Sequence, residues 1–432
     1  MRSASVVAVI AVLVVASLGA GYLVGGGIQK AETRTITSTA TIANTVTTTT
    51  TIAKGAGTSV SSSSSSSSSP GRLTGPPVLA STLVAANFSL EDMNGGYHEA
   101  VYDANASRIY ALGVPLWVDD SVNYSLAVID TSNDTLVANV SLPNTAGLSF
   151  CSNLAVDGAA GMVYAIMVGD DNNALFGKMV TFDASTNSIA AEIPLNFTFL
   201  VSSGFSCGLG EAQFDPGTHL LWAQFGTGVA AVNVLTGAVD ESVRLPFAPQ
   251  QIVVDPAARM VYALGCIGAT ADSCGSQQLA IINGTGVSTV GLNSSAYGTM
   301  ALDQSTNVVY VSGGSQLVAL NGTDGGVIFK ANSETCGSTA IEAIPSLDQV
   351  VMLTSNHPDY LLVYDGATGA LANMYSFPSR VGFAGSYASI YDTNTGELYL
   401  STGPDTLVAL HYDAQTMGNL NATLIEAGCP AP

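Results

Sequence analysis

Beyond about position 80, short apolar runs alternate with polar turn residues, and one arrangement keeps returning. An apolar residue, an aspartate, a few small or polar residues, another apolar residue and an aromatic follow in order. The copies are VYDANASRIYAL (101–112), AVDGAAGMVYAI (155–166), QFDPGTHLLWAQ (213–224), VVDPAARMVYAL (253–264), ALDQSTNVVYVS (301–312), AIPSLDQVVMLT (343–354) and SIYDTNTGELYLS (389–401). Each is followed by a second apolar run and a turn, as in LAVIDTSNDTLVANVSLP or LLVYDGATGALANMYSF. The anchors of the copies are Asp103, Asp157, Asp215, Asp255, Asp303, Pro345 and Asp392, spaced 40 to 58 residues apart. That is about the length of a four-stranded propeller blade.

The residues just before the anchors (Tyr102, Val156, Phe214, Val254, Leu302, Ile344, Tyr391) are apolar throughout, as expected where sheets stack face to face. Asp-Pro, Asn-Gly and Thr-Gly pairs punctuate the apolar runs, and no stretch sustains a helical period. The pattern predicts an all-β, seven-bladed β-propeller over 81–426, with a short tail at 427–432. Two segments compete to close the ring, STLVAANFSL (81–90) and NLNATLI (419–425).

A different pattern precedes the repeats. One arginine is followed by an uncharged, Ala/Val/Leu/Ile-dominated run from Ser3 to Gln29. A helix of that length spans a hydrocarbon core about 30 Å thick, whereas a secretory h-region is usually about 7–15 residues. Residues 1–30 therefore read as an uncleaved signal-anchor, with cleavage near Ala20 as the alternative. From Thr33 to Ser69, 23 of 37 residues are Ser or Thr, too little apolar surface to offset ordering entropy. Residues 31–80 are read as a disordered stalk, O-glycosylated or simply flexible.

Composition reinforces the export reading. Only 10% of the 432 residues are charged, and the net charge is −21. From position 78 onward there are 31 acids and six bases, a balance that repels phosphate backbones and excludes nucleic acid as a partner. The membrane is a partner through the N-terminal helix alone. Ten Asn-x-Ser/Thr sequons follow, at Asn87, Asn105, Asn123, Asn133, Asn139, Asn196, Asn283, Asn293, Asn321 and Asn421. In an exported chain they mark an N-glycosylated surface, solvated by sugar and amide in place of charge. Six cysteines without a CxxC read as a disulfide framework. Cys266 and Cys274 close a short loop and are the clearest pair; Cys151 with Cys207 and Cys336 with Cys429 complete one arrangement.

The repeats resemble the YVTN-type β-propeller family, whose units pair a V-D-P…V-Y-V strand couple with a V-I-D-T…T-G turn. VVDPAARMVYAL and AVIDTSNDT carry the resemblance most closely, and it extends over positions 97 to about 425. The sixth unit departs from it, with Pro345 at the anchor and Met352 at the aromatic. Proteins of this kind are often surface components of archaea and bacteria, so the resemblance implies a propeller displayed outside the cell. Such motifs specify a fold far better than a function. WD40 and kelch patterns do not fit, since no recurring Trp-Asp is present and double glycines do not recur on the kelch pattern.

No HExxH, P-loop or EF-hand loop occurs. One constellation remains. Glu99, Asn153, Glu211 and Gln251 each stand four residues before an anchor, in four consecutive units, with His98 beside the first. At the starts of innermost strands they would ring one mouth of the axial channel, and two carboxylates with two amide oxygens suit Ca²⁺. The set is loosely similar to the Glu/Asn metal site of lactonase-like propellers. Two functions follow: a displayed binding, adhesion or surface-layer module, or an extracytoplasmic metal-dependent hydrolase. The same residues also fit a third, plainer role, as polar strand ends lining a wet channel.

Overall fold

The computed structural model describes residues 78–79, 84–89, 97–113, 124–142, 151–171, 174–195, 212–268, 274–284, 286–292, 294, 298–332, 338–354, 360–376, 389–401 and 406–411. The chain divides into two units, Met1–Ser66 and Ser67–Pro432, and all described residues belong to the second. The expected signal-anchor, the tail and all of the stalk except Val78–Leu79 lie outside the described residues. Among those described, no helix is long and apolar enough to cross a membrane.

Two strands come first, β1 (Val78–Leu79) and β2 (Val84–Ser89). Blade 1 comprises β3 (Tyr97–Asp103), β4 (Arg108–Gly113), β5 (Ser125–Asp130) and β6 (Thr135–Ser141). Blade 2 comprises β7 (Cys151–Asp157), β8 (Met162–Asp171), β9 (Ala174–Asp183) and β10 (Ser188–Leu195). Blade 3 comprises β11 (Gln213–Asp215), β12 (Leu220–Phe225), β13 (Gly228–Asn233) and β14 (Val239–Arg244). Blade 4 comprises β15 (Ala248–Asp255), β16 (Met260–Ile267), β17 (Ser276–Asn283) and β18 (Gly286–Gly291). Blade 5 comprises β19 (Met300–Asp303), β20 (Val308–Gly313), β21 (Gln316–Asn321) and β22 (Val327–Asn332). Blade 6 comprises β23 (Ser338–Ile344), β24 (Gln349–Thr354), β25 (Tyr360–Asp365) and β26 (Leu371–Ser376). Blade 7 has β27 (Ser389–Asp392), β28 (Glu397–Ser401) and β29 (Thr406–His411).

The fourth strand of blade 7 is β2, antiparallel to β29 with Val84 opposite Leu410 and Ser89 opposite Thr406. The N-terminal candidate therefore closes the ring, and the competing NLNATLI segment lies outside the described residues. β1 adds a fifth, parallel strand to the outer edge of blade 6, pairing Val78 with Tyr375. The sheet thus begins upstream of the expected boundary at 81.

The first strands of successive blades touch in a closed ring, from β3 through β7, β11, β15, β19, β23 and β27 back to β3. They are the innermost strands. Seven apolar clusters fill the seven seams, one between each pair of neighbouring blades. The middle strands are buried on both faces, as in β12, whereas the outermost strand β6 is largely exposed. The seven-bladed all-β architecture is that expected from the repeats.

The recurring aspartate has a local cause. In six blades it ends the first strand, and its Oδ1 accepts the backbone N–H two residues on, at 2.7 to 3.1 Å. This side-chain turn replaces a backbone bond where the chain reverses. The turn then ends on a residue with positive φ, for example Ser107, His219 or Asn307. Blade 6 corrects the expected alignment. There Ile344 pairs with Gln349, as Asp103 pairs with Arg108, so the anchor register belongs to Ile344 and not to Pro345. Lacking the aspartate, this turn uses a 3₁₀ turn over Pro345–Leu347, with the φ of proline preset for it. Asp348 N–H donates to Pro345 O at 3.2 Å and takes the positive φ.

Candidate functional site

The two ends of the ring are built differently. The connection between first and second strands is four residues long in all seven blades. Connections between third and fourth strands, on the same side, span two to five residues. On the opposite side lie the links from second to third strands and from one blade to the next. These vary from two residues (172–173, 226–227, 314–315) to seventeen (196–212), with 114–124 and 377–388 also long. One face carries only short turns of two to five residues; the other carries the long links. The single described disulfide, Cys266–Cys274, closes one of these variable links, with Cα atoms 5.4 Å apart. It confirms the expected pair. Cys151 opens β7, while Cys207, Cys336 and Cys429 lie outside the described residues.

Of the residues expected at the channel mouth, Glu99 and Gln251 lie near the starts of innermost strands and hold blades together. Glu99 is 5% exposed, and its Oε2 accepts the N–H of Leu154 in blade 2 at 2.7 Å. Gln251 occupies the same register in blade 4, and its Oε1 accepts the N–H of Met300 in blade 5 at 2.6 Å. A register shift precedes each: His98 is the bulged residue of β3 and Gln250 that of β15. Such a bulge re-aims the strand start toward its neighbour. Asn153 lies on β7 opposite Ile166, and Glu211 falls outside the described residues. Among the described residues no three His, Cys, Asp or Glu side chains are grouped to hold a metal ion. Glu99 Oε2 and Gln251 Oε1 thus each face a backbone amide of the next blade.

Gln213 was not expected in this set. It sits two residues further along the same face of its strand, and its Oε1 accepts the N–H of Val254 at 2.7 Å. Its two-residue offset on a period-2 strand was the available signal. Ser389 repeats the theme from blade 7, its Oγ donating to Ile341 O of blade 6 at 3.1 Å.

The closing seam between blades 7 and 1 is packed by Ile109, Ile129, Ile390 and Tyr399 with Ala111, Ala127 and Ala409, and is supplemented by a polar cluster. Tyr102 Oη donates to Asp392, whose other neighbours include Asn394 N–H at 2.7 Å. Asn394 Nδ2 donates to Ala104 O at 2.7 Å, and Tyr399 Oη donates to Asp134 Oδ1 at 2.8 Å. Burial pushes the Asp392 carboxyl up, but the Tyr102 hydroxyl and the turn amides outweigh it, so its pKa falls below the ordinary value. The Tyr164, Tyr262 and Tyr310 hydroxyls are pushed up to about 12, burial being the largest cause. Tyr262 and Tyr310 donate to the carbonyls of Gly322 and Gly366 in the following blade, at 3.1 and 3.0 Å. These phenols act as blade-to-blade donors.

One buried polar residue stands apart. Gln224 takes the register position that holds Leu112, Ile166, Leu264 and Leu353 in four blades and the serines Ser312 and Ser401 in the other two, at the variable-face end of β12. It is 6% exposed, and neither its Oε1 nor its Nε2 has a hydrogen-bond partner.

Of the sequons, Asn105, Asn133, Asn139, Asn283 and Asn321 are exposed on turns or the outermost strand β6. Asn87 lies on β2, and Asn123, Asn196, Asn293 and Asn421 lie outside the described residues. No protein-family model matches the chain, and neither does any curated protein.

Proposed function

We propose that this chain is a membrane-tethered, surface-displayed binding module whose variable-loop face recognises a glycan or protein ligand. The observation that supports the reading is the asymmetry of the ring: turns of two to five residues on one side, links of two to seventeen residues on the other. Rigid scaffolds place recognition on loops, because loops change sequence and length without disturbing the packing beneath. The apolar N-terminal run and the Ser/Thr stalk would supply the tether, and the repeats' resemblance to YVTN-type units agrees with display outside the cell. The acidic body disfavours nucleic acid as the ligand.

A metal-dependent hydrolase at the channel mouth is the competing function. It draws less support, because Glu99 Oε2 and Gln251 Oε1 are already engaged with Leu154 and Met300. The purified ectodomain, probed on an array of glycans and surface proteins and assayed for bound metal, separates the two. Selective array binding without stoichiometric metal is the expected result. One Ca²⁺ per chain, lost together with hydrolysis of a lactone when Glu99 is changed to Gln, would overturn it.

A further inference from the structure

Large apolar side chains are exposed on three outermost strands: Leu136 and Val137 on β6, Val287 on β18, and Val327 and Ile328 on β22, each 41 to 53% exposed. The outermost strands β10 and β14 expose none of comparable size, and β26 is covered by β1. The turns entering the three apolar strands are the ones that contain sequons: Asn133-Asp-Thr135, Asn283-Gly-Thr285 and Asn321-Gly-Thr323. The turns entering β10 and β14 contain none; Asn233 is followed two residues on by Leu235 in place of a hydroxyl residue. Leu235 is itself exposed, but it stands on the turn and not on a strand.

We propose that Asn133, Asn283 and Asn321 carry N-linked glycans whose first sugars lie over these apolar strand starts and keep the blade rim from associating. This rests on the reading of the chain as exported. The three asparagines are exposed. Thr323 N–H donates to Asn321 Oδ1 at 2.8 Å, and Thr135 Oγ1 donates to Asn133 Oδ1 at 2.5 Å. The turn thereby holds the amide oxygen and leaves the nitrogen as the atom to be modified. In the transfer, that nitrogen bonds to the anomeric carbon of a lipid-linked glycosyl phosphate donor. The bond from anomeric carbon to phosphate oxygen breaks, the lipid phosphate leaves with its electron pair, and the amide gives up one proton.

The occupant follows from placement and charge. Blades 1 and 4 are separated by two intervening blades in the ring, so their patches form no single continuous surface for one partner. A cover attached locally serves each patch separately. The apolar CH face of a pyranose can lie on Leu, Val or Ile while its hydroxyls meet water. Charged side chains, the usual alternative, make up only 10% of this chain.

The test uses the full-length chain from an N-glycosylating host, purified in detergent. Glycopeptide mapping should find all three sites occupied. The triple variant N133Q/N283Q/N321Q should shift from monomer to oligomer in sedimentation, while the control N105Q/N196Q/N421Q should not. Adding Leu136→Thr, Val137→Thr, Val287→Thr, Val327→Thr and Ile328→Thr to the triple variant should restore the monomer. Unoccupied sites, a triple variant as monomeric as the control, or association of the fully glycosylated chain through these strands would each overturn the proposal. Ligand binding at the loop face is read separately on the array, so either reading can fail without the other.

Discussion

At the scale of single residues, Asp303 shows what the recurring aspartate does. It is 3% exposed, and Oδ1 accepts Ser305 N–H at 2.8 Å and Ser305 Oγ at 2.7 Å. Asp303→Ala removes a charged acceptor from the exposed turn that follows it and should destabilise the propeller by about 1–3 kcal/mol in denaturant melts. Asp303→Asn keeps the acceptor and should lose less. Burial raises the Asp303 carboxyl, but its Ser305 and Thr306 hydrogen bonds lower it further, so its folded pKa lies below the unfolded one, as does that of Asp392. Stability from such groups is fully present above the unfolded value, about 4, and is lost as pH falls through the lowered folded values. Gln224 works in the opposite direction. Gln224→Leu removes two unpaired buried polar atoms and matches the apolar residue of four other blades, so it should stabilise by about 1–3 kcal/mol. A Gln224→Leu protein that melts lower than wild type in calorimetry would show that this amide is satisfied in solution.

At the scale of elements, the turns tie each blade to its neighbour. Gly325, at φ 72°, would place a Cβ 2.4 Å from Val290 Cγ2 on β18 of the preceding blade. Gly325→Ala meets both a left-handed backbone and that contact, and should destabilise by about 1–3 kcal/mol in chemical denaturation. A neutral result would mean that the blades give way at this seam. The blades themselves were legible, because aspartate turns and period-2 alternation are local. The sixth was read one residue late, since Pro345 looked like the anchor and Ile344 carries no side-chain acceptor. Closure was not legible. β2 and the C-terminal segment share the same apolar pattern, and only the pairing of Asn87 with Val408, distant in sequence, decides between them. For the same reason the sequence could place Glu99 and Gln251 at strand starts but could not show that their oxygens face the next blade's amides.

At the scale of the whole molecule, the chain joins a net charge of −21 to an apolar, ring-closed interior. Acid removes negative charge without building a large positive one, since six bases follow position 78. With the lowered carboxyls of Asp303 and Asp392, the melting temperature of the propeller should stay level from pH 7 to about 4 and decline only below that. A fall beginning above pH 5 would contradict this sign. The D303N variant should decline less steeply below pH 4.

The central claim is that one face of the ring is for recognition and the other is for structure. The most direct test compares three ectodomains of verified β-sheet content on one array of glycans and surface proteins: the native chain, one with links 114–124, 196–212 and 377–388 replaced by short turns, and one with several four-residue turns of the opposite face replaced. The account predicts that shortening the variable links abolishes the array signal while replacing the uniform turns preserves it. Loss of signal only when the uniform turns are changed would contradict it.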